Sequence, residues 1–185
     1  MTNVLIGAGG HANVVYEISL QNGIRIDGFI DPKVQFFKSL KKMKDEEPFK
    51  HFFIGIGGSK IEELEKRHLL YQNYKLKNCL ALKLLSHSAI ISETSSVGEG
   101  TLIAHNAVLQ PETIIGENVI INTGAIIEHD AIIEDGVHVG PGAIVLGGAK
   151  IGKMSMIGAG AVILPNQKVA PKMLIASLNR YRNDQ

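Results

Sequence analysis

Of the seven histidines in the chain, His129 keeps the company that proton transfer requires. It lies in the run Asn122-Thr-Gly-Ala-Ile-Ile-Glu-His-Asp130, with a carboxylate on either side. A carboxylate bonded to an imidazole fixes its tautomer and raises the basicity of the far nitrogen. Eighteen residues further on stands Gly147, followed by Gly148. In a coil that repeats every 18 residues, that glycine stacks on the histidine and leaves a backbone N–H unshielded beside it. An imidazole that takes a proton and an amide that stabilises an oxyanion are the two parts acyl transfer needs. A covalent relay is disfavoured, because no serine adjoins His129 and the single cysteine, Cys79, lies outside the repeat. Direct attack on an activated acyl group, with a neutral imidazole as base, is the simpler scheme.

The other histidines sort by the same geometry. His138 follows nine residues after His129, half a coil away, and so occupies a different side. The two serve one site only if it is built between subunits, for which a symmetric trimer of parallel prisms is the natural arrangement. His87 and His105 are 18 apart and are expected to stack in one surface column. His51 and His68 are expected to be solvated. No metal site is expected.

A strict period defines the element that must position these groups. Stepping in sixes from Ile91 through Val97, Ile103, Leu109, Ile115 and onward to Ile163 and Val169, all fourteen positions are aliphatic. Two residues before each lies Ala, Ser, Thr or Val, Gln167 alone breaking the run. Neither a helical nor a two-residue strand period produces this spacing. Each hexapeptide is a short strand and a turn, and three close a triangular coil whose branched residue points inward. Coils stack at about 4.8 Å, so backbone groups pair between them. Fourteen steps make between four and five coils, and the β-helix domain is placed at residues 83–185.

Residues 1–82 read as a small α/β unit. Residues 3–7 form a buried strand, Gly7-Ala-Gly-Gly-His11 a glycine turn, and Ala12 to about Gln21 a helix ended near Gly23. A second strand runs from Arg25 to Ile30 and stops at Asp31-Pro32. Lys38 to Lys50 reads as a charged loop or ragged helix. Phe52 to Gly58 is a further strand and turn, and Ser59 caps a helix reaching Tyr74. Glycines after a strand let amides approach a phosphate at a helix N-terminus, and ligands bind at that edge of open α/β sheets. Ala12 stands where the third glycine of a dinucleotide fingerprint belongs, so NAD is not inferred. A unit of this size buries little core and must lean on the β-helix.

Composition narrows the classes of function. Lys and Arg total 19 against 18 Asp and Glu, a balance that argues against nucleic acid. One cysteine permits no intrachain disulfide. No leader-like apolar stretch follows Met1, and no run reaches the ~18–20 apolar residues of a membrane span. A cytoplasmic protein is expected.

Taken together, Gly-Ala-Gly-Gly-His11, the strand ends at Asp31 and Gly57, and the hexapeptides containing Asn122 to Asp130 resemble the PglD/NeuD group of sugar acyltransferases. The resemblance spans residues 3 to about 169. It implies an N-terminal Rossmann-like α/β unit for a nucleotide-linked sugar, followed by a left-handed parallel β-helix. It further implies acetyl-CoA bound in the groove between subunits of a homotrimer. Carried over by position, Gly9, Gly10 and His11 would line the phosphates and sugar, Asp31 would contact the base, and Gly57 would close the pocket. His129 matches the general base, Asp130 its carboxylate partner and Gly147 the oxyanion amide. Asn122 matches a polar residue lining the site, His138 a contact to acetyl-CoA, and Ala159 the pantetheine groove. Asp31-Pro32 departs from the paired acids of some members, and the tail after Val169 departs from the loop that meets the adenine of CoA.

Three activities follow in order. N-acetylation of a 4-amino-4,6-dideoxy sugar on a nucleotide diphosphate comes first, favoured by the glycine turns and Asp31. O-acetylation of a sialic-type acid would use the same base and co-substrate. A non-catalytic sugar- or partner-binding scaffold is the third, against which His129 and its carboxylates argue.

Overall fold

The computed structural model describes residues 2–183 as an α/β unit seated on a parallel β-helix. The first unit is a five-stranded parallel sheet with strand order 3-2-1-4-5. Its strands are β1 (Asn3–Ile6), β2 (Gly28–Ile30), β3 (Lys41–Lys42), β4 (His51–Ile54) and β5 (Leu80–Ala81). Helix α1 (Gly10–Gln21) buries Ala12, Val15 and Ile18, a helical stripe, and ends where Gly23 turns to φ 67°. Helix α2 (Ile61–Leu76) buries Leu64, Arg67, Tyr71 and Tyr74.

Two local expectations change. The charged stretch contains β3, because Met43 is buried against Gly28, where an added Cβ would lie 2.5 Å from the Met43 sulfur. Ser59 does not cap α2; the N-cap is Lys60, and Glu63 accepts from the amides of Ser59 (2.8 Å) and Lys60 (3.3 Å).

Seventeen pairs of residues, one to each stretch of the prism wall, then make the β-helix, from Leu84–Leu85 to Arg180–Tyr181. Register confirms the winding: Val108 pairs with Ile126 and Ile126 with Ile144, 18 residues per coil. Face one carries Leu84–Leu85, Leu102–Ile103, Ile120–Ile121, His138–Val139, Met156–Ile157 and Leu174–Ile175. Face two runs from Ile90–Ile91 to Arg180–Tyr181, and face three from Ser96–Val97 to Lys168–Val169. The inward column and the small residues beside it, Ala107, Ala125, Ala131, Ala143, Ala149 and Ala161, are sealed from solvent. Where the small position is Thr101 or Ser155, its hydroxyl donates to a corner carbonyl, Gly116 (2.8 Å) or Ala170 (2.9 Å).

The solenoid has more than five coils rather than four to five. It starts at Leu84 and continues past Val169, with Ile175 still pointing inward. The tail hides this because Met173 and Asn179 stand where small residues belong. The α/β unit docks on face one: Leu84, Leu102 and Ile120 point outward there and join one core with Ala12, Val15, Ile18 and Phe53.

Candidate active site

His129 and Gly147 lie on the edge between faces two and three. Asp130 occupies a left-handed corner (φ 61°) that folds its carboxylate back on its neighbour, and Oδ2 sits 2.7 Å from His129 Nδ1. An ionised carboxylate only accepts, so Nδ1 carries the proton and Nε2 presents its lone pair. Gly147 is pressed against that side of the ring: a Cβ there would lie 2.8 Å from both Cε1 and Nε2. The next amide, Gly148 N–H, is spent on His129 O (3.0 Å), whereas the Gly147 N–H meets no acceptor among the described residues. Pro111 below and Pro165 above occupy the same column, 18 residues to each side. A cavity of about 520 Å³ opens here, lined by Glu128, His129, Asp130, Gly147, Pro165 and Asn166. Both side chains of this pair remain about two-thirds exposed.

The glycine turns lie at the carboxyl ends of β1 and β4, neighbouring strands where the sheet order reverses direction. Gly9, the N-cap of α1, and Gly10 are exposed, and a Cβ at either would meet nothing within 4 Å, leaving open space for a ligand's approach. Gly57 packs on His11, 3.4 Å from its Cβ and Cγ by the same construction. Asp31 sits beside them with both oxygens engaged: Oδ2 accepts from Ala8 N–H (2.9 Å) and Oδ1 from Lys33 (2.8 Å) and Val34 (3.0 Å). Burial opposes its charge, yet the amides of Val34, Ala8 and Lys33 hold the carboxyl below its ordinary range. Asp31 thus ties its own loop after β2 to the glycine turn after β1.

His138 lies on face one, buried under the α/β unit. Its Nδ1 donates to Gly58 O (2.7 Å), so Nε2 accepts from Asn122 Nδ2 (3.1 Å), while Asn122 Oδ1 accepts from Thr123 N–H (2.8 Å). Burial, aided by the charge of Arg67 and opposed by the Gly58 bond, pushes its pKa down to about 4. His11 stands 6.4 Å from it, centroid to centroid. Burial, His138 and Arg67 together lower the His11 pKa to about 3. Asn122 and half-buried Ala159 fall on the edge between faces one and two. One chain therefore brings Gly57, His11, His138 and Asn122 together, and separately His129, Asp130 and Gly147, with face two between the groups.

The remaining histidines are not as expected. His51 Nδ1 pairs with Asn3 Oδ1 (2.9 Å), and His68 stacks on Tyr71 (5.9 Å) and bonds Gln72 (3.1 Å), so neither is simply solvated. His87 is exposed, whereas His105 turns to Gln21 (3.1 Å) instead of completing a stack. Arg67 was not anticipated. Its signal is its place in the apolar stripe Leu64, Arg67, Tyr71, Tyr74 of an amphipathic helix.

Residues 4–64 match the family model described as PglD N-terminal domain, and residues 94–129 and 130–165 match bacterial transferase hexapeptide (six repeats). The chain belongs to the PglD/NeuD-type sugar acyltransferases. No curated protein matches it significantly in sequence. Among solved structures, this PglD/NeuD-type chain is similar to PerB from Caulobacter crescentus in complex with CoA and GDP-perosamine. That likeness has 25% identity and a TM-score of 0.83, over 96% of this chain and 86% of that one. The acetyltransferase domain of PglB from Neisseria gonorrhoeae, in complex with acetyl coenzyme A, gives 24% identity and a TM-score of 0.83, over 96% and 97%. WeeI from Acinetobacter baumannii gives 21% identity and a TM-score of 0.78, over 96% and 94%. No helix among the described residues is long and apolar enough to cross a membrane.

Proposed function

We propose that the protein transfers the acetyl group of acetyl-CoA to the amino group of a nucleotide-linked 4-amino-4,6-dideoxy sugar. One observation carries the reading: His129, oriented by Asp130 at 2.7 Å, presents Nε2 beside the free Gly147 amide. The sugar amine attacks the thioester carbonyl and its proton passes to Nε2. The Gly147 N–H stabilises the oxyanion, and collapse expels the CoA thiolate, which takes up a proton. The PerB complex with CoA and GDP-perosamine and the PglB complex with acetyl coenzyme A support this choice of co-substrates.

The nucleotide sugar is assigned to the glycine turns at Gly9, Gly10 and Gly57. Because these lie across face two from His129 in one chain, a neighbouring copy is needed to complete the site. Face two offers the surface for it: Ile90, two-thirds exposed, heads an outward column with Val108, Ile126, Ile144 and Val162, none of them fully buried. A trimer burying this column brings one subunit's His129 edge against the next subunit.

The test is thiol release from acetyl-CoA against UDP-, TDP- and GDP-linked 4-amino sugars, with CMP-linked and free sialic-type acids in parallel. Release with a nucleotide amino sugar is expected. Release only with a sialic-type acid would move the acceptor to a hydroxyl, and no release by folded protein would leave a binding scaffold.

A further inference from the structure

The α/β unit and the β-helix meet in a buried polar seam that the chemistry above leaves unused. Arg67 reaches it from α2 and is sealed from solvent. Its Nη2 donates to the carbonyls of Asn118, Gly136 (3.0 Å) and Val137 (3.5 Å). Asn118 and Gly136 are stacked corner residues in left-handed conformation (φ 51° and 70°), and no backbone amide among the described residues donates to either carbonyl. The arginine therefore satisfies two successive coils at once. The very next residue after Val137 is His138, whose Nδ1–H returns to Gly58 O at 2.7 Å. Gly58 leads into α2, and α2 carries Arg67, so the contacts close a circuit. Glycine turn, helix, guanidinium, coil and imidazole come back to the same turn.

Burial alone does not account for an arginine here. Its Nε and Nη1 have no partner among the described residues, and no carboxylate pairs with it there. An apolar side chain at 67 would continue the stripe begun by Leu64 without burying an uncompensated charge. What the guanidinium adds is direction: it grips backbone at one place, immediately before His138.

We propose that Arg67 and His138 form a latch that fixes the Gly57–Gly58 turn to the β-helix, setting the sugar side of the site from the coils. Both are positioning residues. The inference rests on the assignment of the nucleotide sugar to the glycine turns, and it gives His138 a role other than contact with acetyl-CoA.

The experiment compares Arg67→Met and His138→Gln with the wild type. In each, KM for the nucleotide amino sugar rises roughly tenfold as the turn loses an anchor, while KM for acetyl-CoA stays within about twofold. The double variant is no worse than about the worse single one, because both act on one turn. A larger rise in KM for acetyl-CoA than for the sugar, or an unchanged sugar KM in folded protein, overturns the latch. Hydrogen exchange supplies a second readout without substrate. The Ser59 and Leu64 amides, bonded just beyond the turn to Glu63 Oε2 (2.8 Å) and Lys60 O (3.1 Å), exchange faster in both variants while those of Leu5 and Ile6 do not, and equal exchange overturns the proposal. Faster exchange in a protein that acetylates no nucleotide sugar would keep the latch and sink the assigned activity. Should Arg67→Met not fold, His138→Gln carries both measurements alone.

Discussion

His129 and His138 are nine residues apart on the same solenoid, and their surroundings are opposite. His129 stands about two-thirds exposed on an edge, with one nitrogen tied to Asp130 and the other open beside a free amide. His138 is buried on a face with both nitrogens bonded, one to Gly58 and one to Asn122. A hexapeptide coil makes this split almost inevitable. Corner residues project into solvent and can meet a ligand, whereas outward residues on a face are covered by whatever docks there. An imidazole on an edge has a lone pair to offer; one under a docked domain has already used it. Changing the first removes the proton acceptor without touching stability, and changing the second alters stability and the hold on the sugar while the proton acceptor stays in place.

The largest effect expected is on turnover. His129→Asn keeps a polar side chain at the same exposed edge but removes the proton acceptor, so kcat falls by about 10²–10⁴. Its urea midpoint stays at the wild-type value, because the native ring buries little and its bond to Asp130 is solvated. A large shift of the midpoint would erase the distinction between edge and face.

Next comes the pH dependence of folding. Burial lowers the pKa of His138 to about 4 and that of His11 to about 3, from 6.5 in the unfolded chain. Between those limits the unfolded chain binds protons that the folded chain refuses. Stability is therefore complete above pH 6.5 and is lost as pH falls toward 4, by roughly 3 kcal/mol for His138 alone. Urea midpoints measured from pH 7.5 down to 4.5 trace this limb. In His138→Gln the limb becomes shallower, leaving the part due to His11; a limb of undiminished slope would show that His138 is not the proton-excluding group.

Much of this was readable beforehand, and the reason is physical. A prism interior admits one branched side chain per strand, so the column from Ile91 to Val169 had to repeat every six residues. Eighteen-residue stacking then put Gly147 over His129 by arithmetic. What could not be read was which residues the second domain would cover. Face one looks like the others in the repeat, and only docking turns Leu84, Leu102, Ile120 and His138 from surface into core. Asp31 is a different case: it accepts from two amides of its own loop, Lys33 and Val34, and from Ala8 of the neighbouring turn, contacts set by loop conformation inside the α/β unit. Arg67 was legible as an oddity, a charge in an apolar stripe, but the carbonyls it serves belong to coils 51 and 69 residues away.

A smaller perturbation of the edge sharpens the comparison from the other direction. Gly147→Ala places a Cβ 2.8 Å from Nε2 and Cε1 of His129, close enough to displace the ring. The imidazole is exposed and can swing away, and Gly147 has no left-handed backbone to strain, so stability changes little. A misplacement of about 1 Å costs about 10² in rate, so kcat falls by about that factor. Equal kcat in the alanine variant would mean that the ring does not work from this position.

The smallest effect belongs to a histidine that is neither. His87 is exposed at the start of the solenoid, one coil before His105, whose imidazole turns instead to Gln21 on α1. Among the described residues no stacking partner or ion pair gives His87 a task, so His87→Ala is expected to change stability by less than about 0.5 kcal/mol and to leave kcat alone. Thermal melts and the thiol-release rate measure both. A clear loss in either would mean that position in the coil, and not the neighbours a position acquires, decides what a histidine does here, and the contrast between His129 and His138 would need another cause.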